Sequence, residues 1–147
     1  MNNKTILLVE DDPKDEALTI RALKKSGIAN TVVVARDGAE ALDYLFETGT
    51  RPDGTAAELP TVVLLDINLP KINGLEVVTR IRGDERTKLL PVVMLTSSNQ
   101  EEDRFKCYNS GANSYIRKPV DFNEFAEAVR HVGLYWLILN EPAPPTG

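Results

Sequence analysis

The chain has one cysteine, Cys107, and one histidine, His131, in 147 residues. A lone thiol cannot close an internal disulfide or build a cysteine-rich zinc site, so Cys107 reads as a small helix residue. His131 falls in the last helical stretch, far from the strand ends described below. It reads as a surface or interface side chain rather than a metal ligand or a phosphotransfer group. Basic residues are also in short supply, with 17 Lys and Arg against 22 Asp and Glu and a net charge of −5. A nucleic-acid-binding domain ordinarily presents a basic face, and neither such a segment nor a helix-turn-helix is appended, so no nucleic-acid partner is expected. No apolar run approaches the roughly 20 residues a spanning helix needs, and no signal-peptide pattern opens the chain. The expected location is the cytoplasm, with no membrane partner. Internal repeats and low-complexity domains are absent as well.

What is present fits one soluble domain. Apolar residues make up 42% and charged residues 27%, ordinary values for a globular chain long enough to bury a core. Strand-like and helix-like patterns alternate throughout. Strand candidates are 5–9, 31–35, 61–65, 91–95 and 113–116. Helical spacing appears over Asp15–Lys25 with Gly27 as its stop, and over Gly38–Thr48 with Asp37 as N-cap and Gly49 as stop. It continues over Gly74–Gly83, Gln100–Ser110 and Asp121–Leu139. Right-handed crossovers of this length imply an α/β fold, a doubly wound five-stranded parallel sheet with helices on both faces. The domain is expected over 1–139, with a disordered tail over 140–147. The long 48–60 loop reads as a tolerated insertion rather than an interaction loop.

Asp66 ends the apolar run Thr61-Val62-Val63-Leu64-Leu65. A β-branched and leucine run this short is a strand buried on both faces. Pro70 and the pair Asn73-Gly74 then turn the chain. Asp66 thus stands at the carboxyl end of a central strand, the edge where open α/β sheets bind ligands. Other strand candidates end in polar residues too. Thr5–Val9 runs into Glu10-Asp11-Asp12-Pro13, Pro91–Leu95 into Thr96-Ser97-Ser98, and Asn113–Arg117 into Lys118-Pro119. Parallel neighbours would bring these ends together as carboxylates, a hydroxyl and an ammonium around Asp66.

Glu10-Asp11-Asp12-Pro13, Leu64-Leu65-Asp66-Ile67-Asn68-Leu69-Pro70 with Gly74, Leu95-Thr96-Ser97, Gly111-Ala112-Asn113 and Lys118-Pro119 stand in the order and spacing of a known family. On these motifs, across 4–139, the chain resembles the CheY-like receiver domain of two-component response regulators. Each motif is weak alone and the five together are specific. The long loop before the third strand, Leu69-Pro70-Lys71 and Leu134-Tyr135-Trp136-Leu137 are similar to the single-domain regulators paired with cyanobacterial phytochromes.

The resemblance implies a flavodoxin-like strand order, 2-1-3-4-5, and a signalling role rather than a turnover enzyme. The implied partner is a sensor histidine kinase, a phytochrome by the subfamily likeness. Asp66 would take the phosphoryl group as an acyl phosphate, a reaction that needs positioning and charge neutralisation. Glu10, Asp11 and Asp66 would repel one another, and a hard divalent cation with oxygen ligands, Mg²⁺, resolves this. By resemblance Asp11 and Asp66 ligate it directly, with the backbone carbonyl of Asn68, while Glu10 acts through water where the family usually has Asp. Lys118 would reach the phosphoryl oxygens, aimed by a cis peptide to Pro119. Thr96 would bond a phosphoryl oxygen and Tyr115 rotate into the space it leaves, a two-state switch. Backbone N–H groups near Ile67 and Ser97 would complete the anion cradle.

Blander readings exist for each residue. Glu10-Asp11-Asp12 suits a helix N-terminus, and for Asp12 with Pro13 that reading is preferred. Lys118 could be a solvated turn lysine, Thr96 a helix cap and Tyr115 a sheet-edge aromatic. Other functions fit less well. A flavodoxin-like cofactor site would need a phosphate-binding loop where Glu10-Asp11-Asp12 stands. An aspartate-based phosphatase would carry a second acid at position 68, which is Asn. A phosphorylation-independent pseudo-receiver acting as a dimerising module would not need Asp66, Thr96 and Lys118 together. No effector domain follows in the sequence, so output is expected through association. The last helix is apolar nearly all round towards Leu139, which predicts a homodimer through the fourth-to-last-helix region.

Overall fold

The computed structural model describes residues 5–25, 27–28, 30–46, 59–67, 69–96, 101–117 and 122–134. Among these residues, five strands alternate with five helices. They are β1 (Thr5–Val9), α1 (Pro13–Lys25), β2 (Thr31–Ala35), α2 (Gly38–Phe46), β3 (Val62–Asp66), α3 (Gly74–Arg82), β4 (Val92–Thr96), α4 (Glu101–Asn109), β5 (Ser114–Arg117) and α5 (Phe122–Leu134). All pairings are parallel, in the order β2-β1-β3-β4-β5. That is the doubly wound, flavodoxin-like order expected from the sequence. Its switch point lies between β1 and β3, where the connections leave in opposite directions.

Strand alternation divides the core between two faces. Leu7, Val9, Val63, Leu65, Val92 and Met94 face α2 and α3, and Cys107 of α4 packs into the same cluster. Ile6, Leu8, Val62, Leu64, Val93 and Leu95 face α1 and α5, against Ala22, Leu23, Phe125 and Val129. β1 and β3 are covered on both sides, which is why their sequences are unbroken apolar runs rather than alternating ones. Cys107 is fully buried and acts as a small apolar core residue.

β3, β4 and β5 each begin and end one residue later than the side-chain pattern indicates. The backbone ladder does not stop where polarity begins, so Asp66 pairs with Leu95, and Thr96 with Arg117. Helix starts follow capping chemistry. Asp12 caps α1 by accepting from the Lys14 N–H at 2.8 Å, which places Pro13 at the first helical position, the opening read for Asp12 with Pro13 and two residues before the apolar spacing begins at Asp15. Asp37 caps α2 through the Glu40 N–H at 2.7 Å, and Asn73 caps α3 through the Glu76 N–H at 3.0 Å. Gly27, at φ +80°, closes α1, donating to the Lys24 carbonyl at 3.0 Å. Residues 48–58 of the expected 48–60 loop, the expected tail over 140–147, Gly49, Asp121 and the apolar end 135–139 lie outside the described residues. Among those described, no helix is long and apolar enough to cross a membrane.

Candidate functional site

The carboxyl ends of β1 and β3 adjoin because the strands are neighbours, with Val9 in register with Leu65. One residue further on stand Glu10 and Asp66. Glu10 is 1% exposed, although a carboxylate is rarely fully buried unless something holds it. Its N–H continues the β1–β2 ladder to the Ala35 carbonyl at 2.9 Å, and its Oε2 accepts from the Asp12 N–H at 3.4 Å. Asp66 is 8% exposed. The loop after it folds straight back: the Gly74 N–H donates to the Ile67 carbonyl at 2.8 Å, and a Cβ on Gly74 would lie 2.2 Å from the Asp66 carbonyl oxygen. Only glycine permits that approach.

A third carboxylate joins this pair. Glu10, Asp15 and Asp66 each offer one oxygen, and the three oxygens lie within 4.8 Å of one another. An all-oxygen donor set at this spacing suits a hard divalent cation such as Mg²⁺ or Mn²⁺, and not a metal that prefers nitrogen or sulfur. Asp15 is absent from the residues singled out in the sequence. Its signal was Pro13, which favours the first helical position and so sets Asp15 in the first turn of α1, over the end of β1.

The remaining expected residues divide clearly. Asp11 is exposed, follows Glu10 directly and is not one of the three clustered carboxylates. Thr96 closes β4, one step beyond the Leu95 that pairs with Asp66. Tyr115 pairs with Met94 and lies half-buried against the α2–α3 face of the core. His131 is exposed on α5, away from this edge. Asn68, Ser97, Lys118 and Pro119, with the Lys118–Pro119 peptide bond, lie outside the described residues.

The loop that carries Asp66 onwards is fastened to the β2–α2 corner, a feature invisible in the sequence. Lys71 Nζ lies 3.4 Å from Asp37 Oδ2, and Lys71 itself takes φ +66°, a left-handed conformation unusual for a non-glycine residue. Gly38 packs so closely beneath Ile72 that a Cβ there would lie 1.9 Å from the Ile72 carbonyl oxygen. The Glu40 N–H, and then Lys71, hold the Asp37 carboxyl below the usual aspartate range. At the far end of α3, Arg82 donates to the carbonyls of Gly111 (2.8 Å) and Leu90 (2.7 Å) and to Asn113 Oδ1 (2.7 Å). It ties α3 to the starts of β4 and β5.

Residues 6–130 match the response regulator receiver domain. FilR2, a regulatory protein of Methanothrix harundinacea, is 39% identical over 95% of this chain and 88% of its own length. Response regulator Rcp1 of Synechocystis is 35% identical over 91% of this chain and 89% of its own. The solved Mn²⁺-bound form of Rcp1 superposes with a TM-score of 0.82, covering 96% of this chain and 99% of that one, at 33% identity. The bacteriophytochrome response regulator RtBRR is 50% identical, with a TM-score of 0.73 over 96% of this chain and 84% of its own. With the 2-1-3-4-5 sheet and an acidic cluster at the ends of β1 and β3, this chain belongs to the response regulator receiver family, resembles the phytochrome response regulators within it, and is a phosphoacceptor rather than a turnover enzyme.

Proposed function

We propose that the chain takes a phosphoryl group onto Asp66 from the phosphohistidine of a sensor histidine kinase of the phytochrome type, with Mg²⁺ at the acidic cluster. The observation that carries this reading is Asp66 itself, 8% exposed at the carboxyl end of a central strand, its oxygen within 4.8 Å of those of Glu10 and Asp15. An Asp66 carboxylate oxygen attacks phosphorus, the phosphorus–nitrogen bond breaks, and the imidazole nitrogen leaves with its electron pair. A divalent ion bound at the cluster supplies neutralisation of the phosphoryl charge. The chain's own residues do the positioning. Gly74 lets the loop close over the Asp66 backbone, and the Lys71–Asp37 pair fixes the turn beyond it.

The family likeness supports direct ligation by Asp11 and Asp66 with the Asn68 carbonyl, Glu10 acting through water, and Lys118 on the phosphoryl oxygens. Thr96 and Tyr115 form the switch in this reading. The likeness to Rcp1 and RtBRR supports a phytochrome kinase as donor. A homodimer through α4 and α5 is supported by two large apolar side chains of α4 that face solvent, Phe105 at 70% and Tyr108 at 49% exposure.

Phosphotransfer from a purified, autophosphorylated phytochrome kinase tests the pathway. Label should move to the wild type within seconds and not to Asp66→Asn, and an unrelated histidine kinase should transfer far more slowly. Equal rates from both kinases would contradict the phytochrome assignment. Sedimentation equilibrium tests the dimer, and a monomer at high concentration with and without phosphorylation would reject it.

A further inference from the structure

We infer that Lys71 and Asp37 form a strap that positions the phosphoacceptor: their contact holds the loop between β3 and α3 in the shape that keeps the peptide after Asp66 in place, and so sets how fast Asp66 is phosphorylated. This deepens the proposed function and rests on its reading of Asp66 as the acceptor. The loop over 67–74 is a closed ring. It begins and ends on the Ile67 carbonyl, directly after Asp66, which accepts from the Leu69 N–H at 3.1 Å and the Gly74 N–H at 2.8 Å. A second tight turn lies inside it, where the Ile72 N–H donates to the Pro70 carbonyl at 2.8 Å. Lys71, at the centre of that turn, takes φ +66°, where a side chain crowds the backbone and glycine is the usual occupant. A residue kept in that region must be held by its surroundings, and such residues gather at functional sites.

Two contacts hold Lys71, and both come from the corner between β2 and α2. Its Nζ lies 3.4 Å from Asp37 Oδ2, and the adjoining Ile72 rests on Gly38 with no room for a Cβ between them. Asp37 is itself fixed, because its Oδ1 accepts from the Glu40 N–H at 2.7 Å and its side chain is only 16% exposed. One carboxylate therefore caps α2 and anchors the loop. The other end of the ring has no slack either. Gly74 lies so near the Asp66 carbonyl oxygen that a Cβ there would be 2.2 Å away, so a change in the ring's shape is passed to Asp66 rather than absorbed. Phosphoryl transfer depends chiefly on positioning, and a misplacement of about 1 Å can slow a reaction about a hundredfold. The plain competing role is a surface ion pair that adds a little stability, as exposed pairs do. Lys88 and Glu85, 2.9 Å apart in the turn after α3, serve as the comparison: that pair joins near neighbours on one turn and holds no strained residue.

The initial rate of phosphorylation of the full chain by acetyl phosphate with Mg²⁺, read by intact mass well below the melting temperature, tests the strap. In that step an Asp66 oxygen attacks phosphorus and acetate leaves with the electron pair. The variants are Lys71→Met, Lys71→Arg, Asp37→Asn, the double Asp37→Asn/Lys71→Met, Lys88→Met and Asp66→Asn. Hydrogen exchange of the Leu69, Ile72 and Gly74 amides reads the loop itself. Lys71→Met keeps the alkyl stem without the charge, and Asp37→Asn keeps an oxygen to cap α2. Each should slow phosphorylation about three- to fivefold and speed loop exchange by a similar factor, the scale of one partly exposed ion pair. The double variant should be no slower than either single one, because the two residues act through one contact. Lys71→Arg and Lys88→Met should stay within about 1.5-fold of wild type. Unchanged rates with a lower melting temperature would mark an ordinary stabilising ion pair and overturn the inference alone. Faster loop exchange without slower phosphorylation, losses that add in the double variant, or an equal loss in Lys88→Met would overturn it too. No phosphoryl gain by the wild type, or one that persists in Asp66→Asn, would overturn it together with the reading of Asp66 beneath it.

Discussion

Replacing Gly38 with alanine should damage this protein, although the same change usually strengthens a helix. Gly38 is the first residue of α2 and is buried beneath the loop that follows Asp66. Its added Cβ would sit 1.9 Å from the Ile72 carbonyl oxygen and 2.8 Å from Ile72 C and Cβ, and real Cβ contacts under 3.0 Å essentially never occur. Ile72 cannot yield freely. Its own N–H donates to the Pro70 carbonyl at 2.8 Å, and neighbouring Lys71 is tied to Asp37, in the corner that leads into α2. The loop and the helix must therefore separate. Overpacking of this kind costs about 1–3 kcal/mol. Helix propensity returns at most about 1 kcal/mol, and less at a first helical position. The net loss is about 2 kcal/mol, which lowers the melting temperature of a domain this size by roughly 4–8 °C. Gly83→Ala is the matched control. Gly83 has φ −86°, and a Cβ there meets nothing nearer than the Thr79 carbonyl oxygen at 3.5 Å. It should stay within about 0.5 kcal/mol of wild type. Circular dichroism during thermal and urea unfolding reads both variants. A Gly38→Ala protein as stable as wild type, or a Gly83→Ala protein equally damaged, would refute the packing argument.

Arg82→Met keeps the alkyl stem but removes donors from the carbonyls of Gly111 and Leu90 and from Asn113 Oδ1. Part of that network is shielded from water, so urea unfolding should show a loss of about 2–4 kcal/mol, and a loss under about 1 kcal/mol would contradict it. Asp37 gives a pH prediction. The Glu40 N–H and Lys71 lower its folded-state pKa below the unfolded value near 3.9. Its contribution is thus fully present above that value and is lost as pH falls through the lower, folded one. Asp37→Asn should be less stable than wild type above about pH 5, and the two should converge as pH drops below about 4. Parallel stability curves across that range would show that the carboxylate's charge contributes nothing.

Much of the fold was legible because buried strands advertise themselves. Val62–Asp66 and Val92–Thr96 are apolar runs bounded by turn residues, and a parallel sheet is the arrangement that covers both faces of such runs. Asp66 was legible for the same reason, as the charged residue at which a buried run stops. Asp15 was not: Asp12 with Pro13 opens the helix as read, but no pattern in the sequence tells which side chain of the first turn lies near the strand ends. The Lys71–Asp37 pair and the Gly38–Ile72 contact were equally hidden, since each joins segments more than 30 residues apart with no apolar pattern to announce it. The one-residue shift that brings Asp66 and Thr96 into their strands reflects backbone pairing, which continues whatever the side chain.

The most direct test of the central claim is intact mass after incubation with acetyl phosphate, with and without Mg²⁺, on wild type and Asp66→Asn. The account predicts a gain of one phosphoryl group in the wild type with Mg²⁺, little without it, and none in Asp66→Asn. A gain that persists in Asp66→Asn, or one indifferent to Mg²⁺, would contradict it.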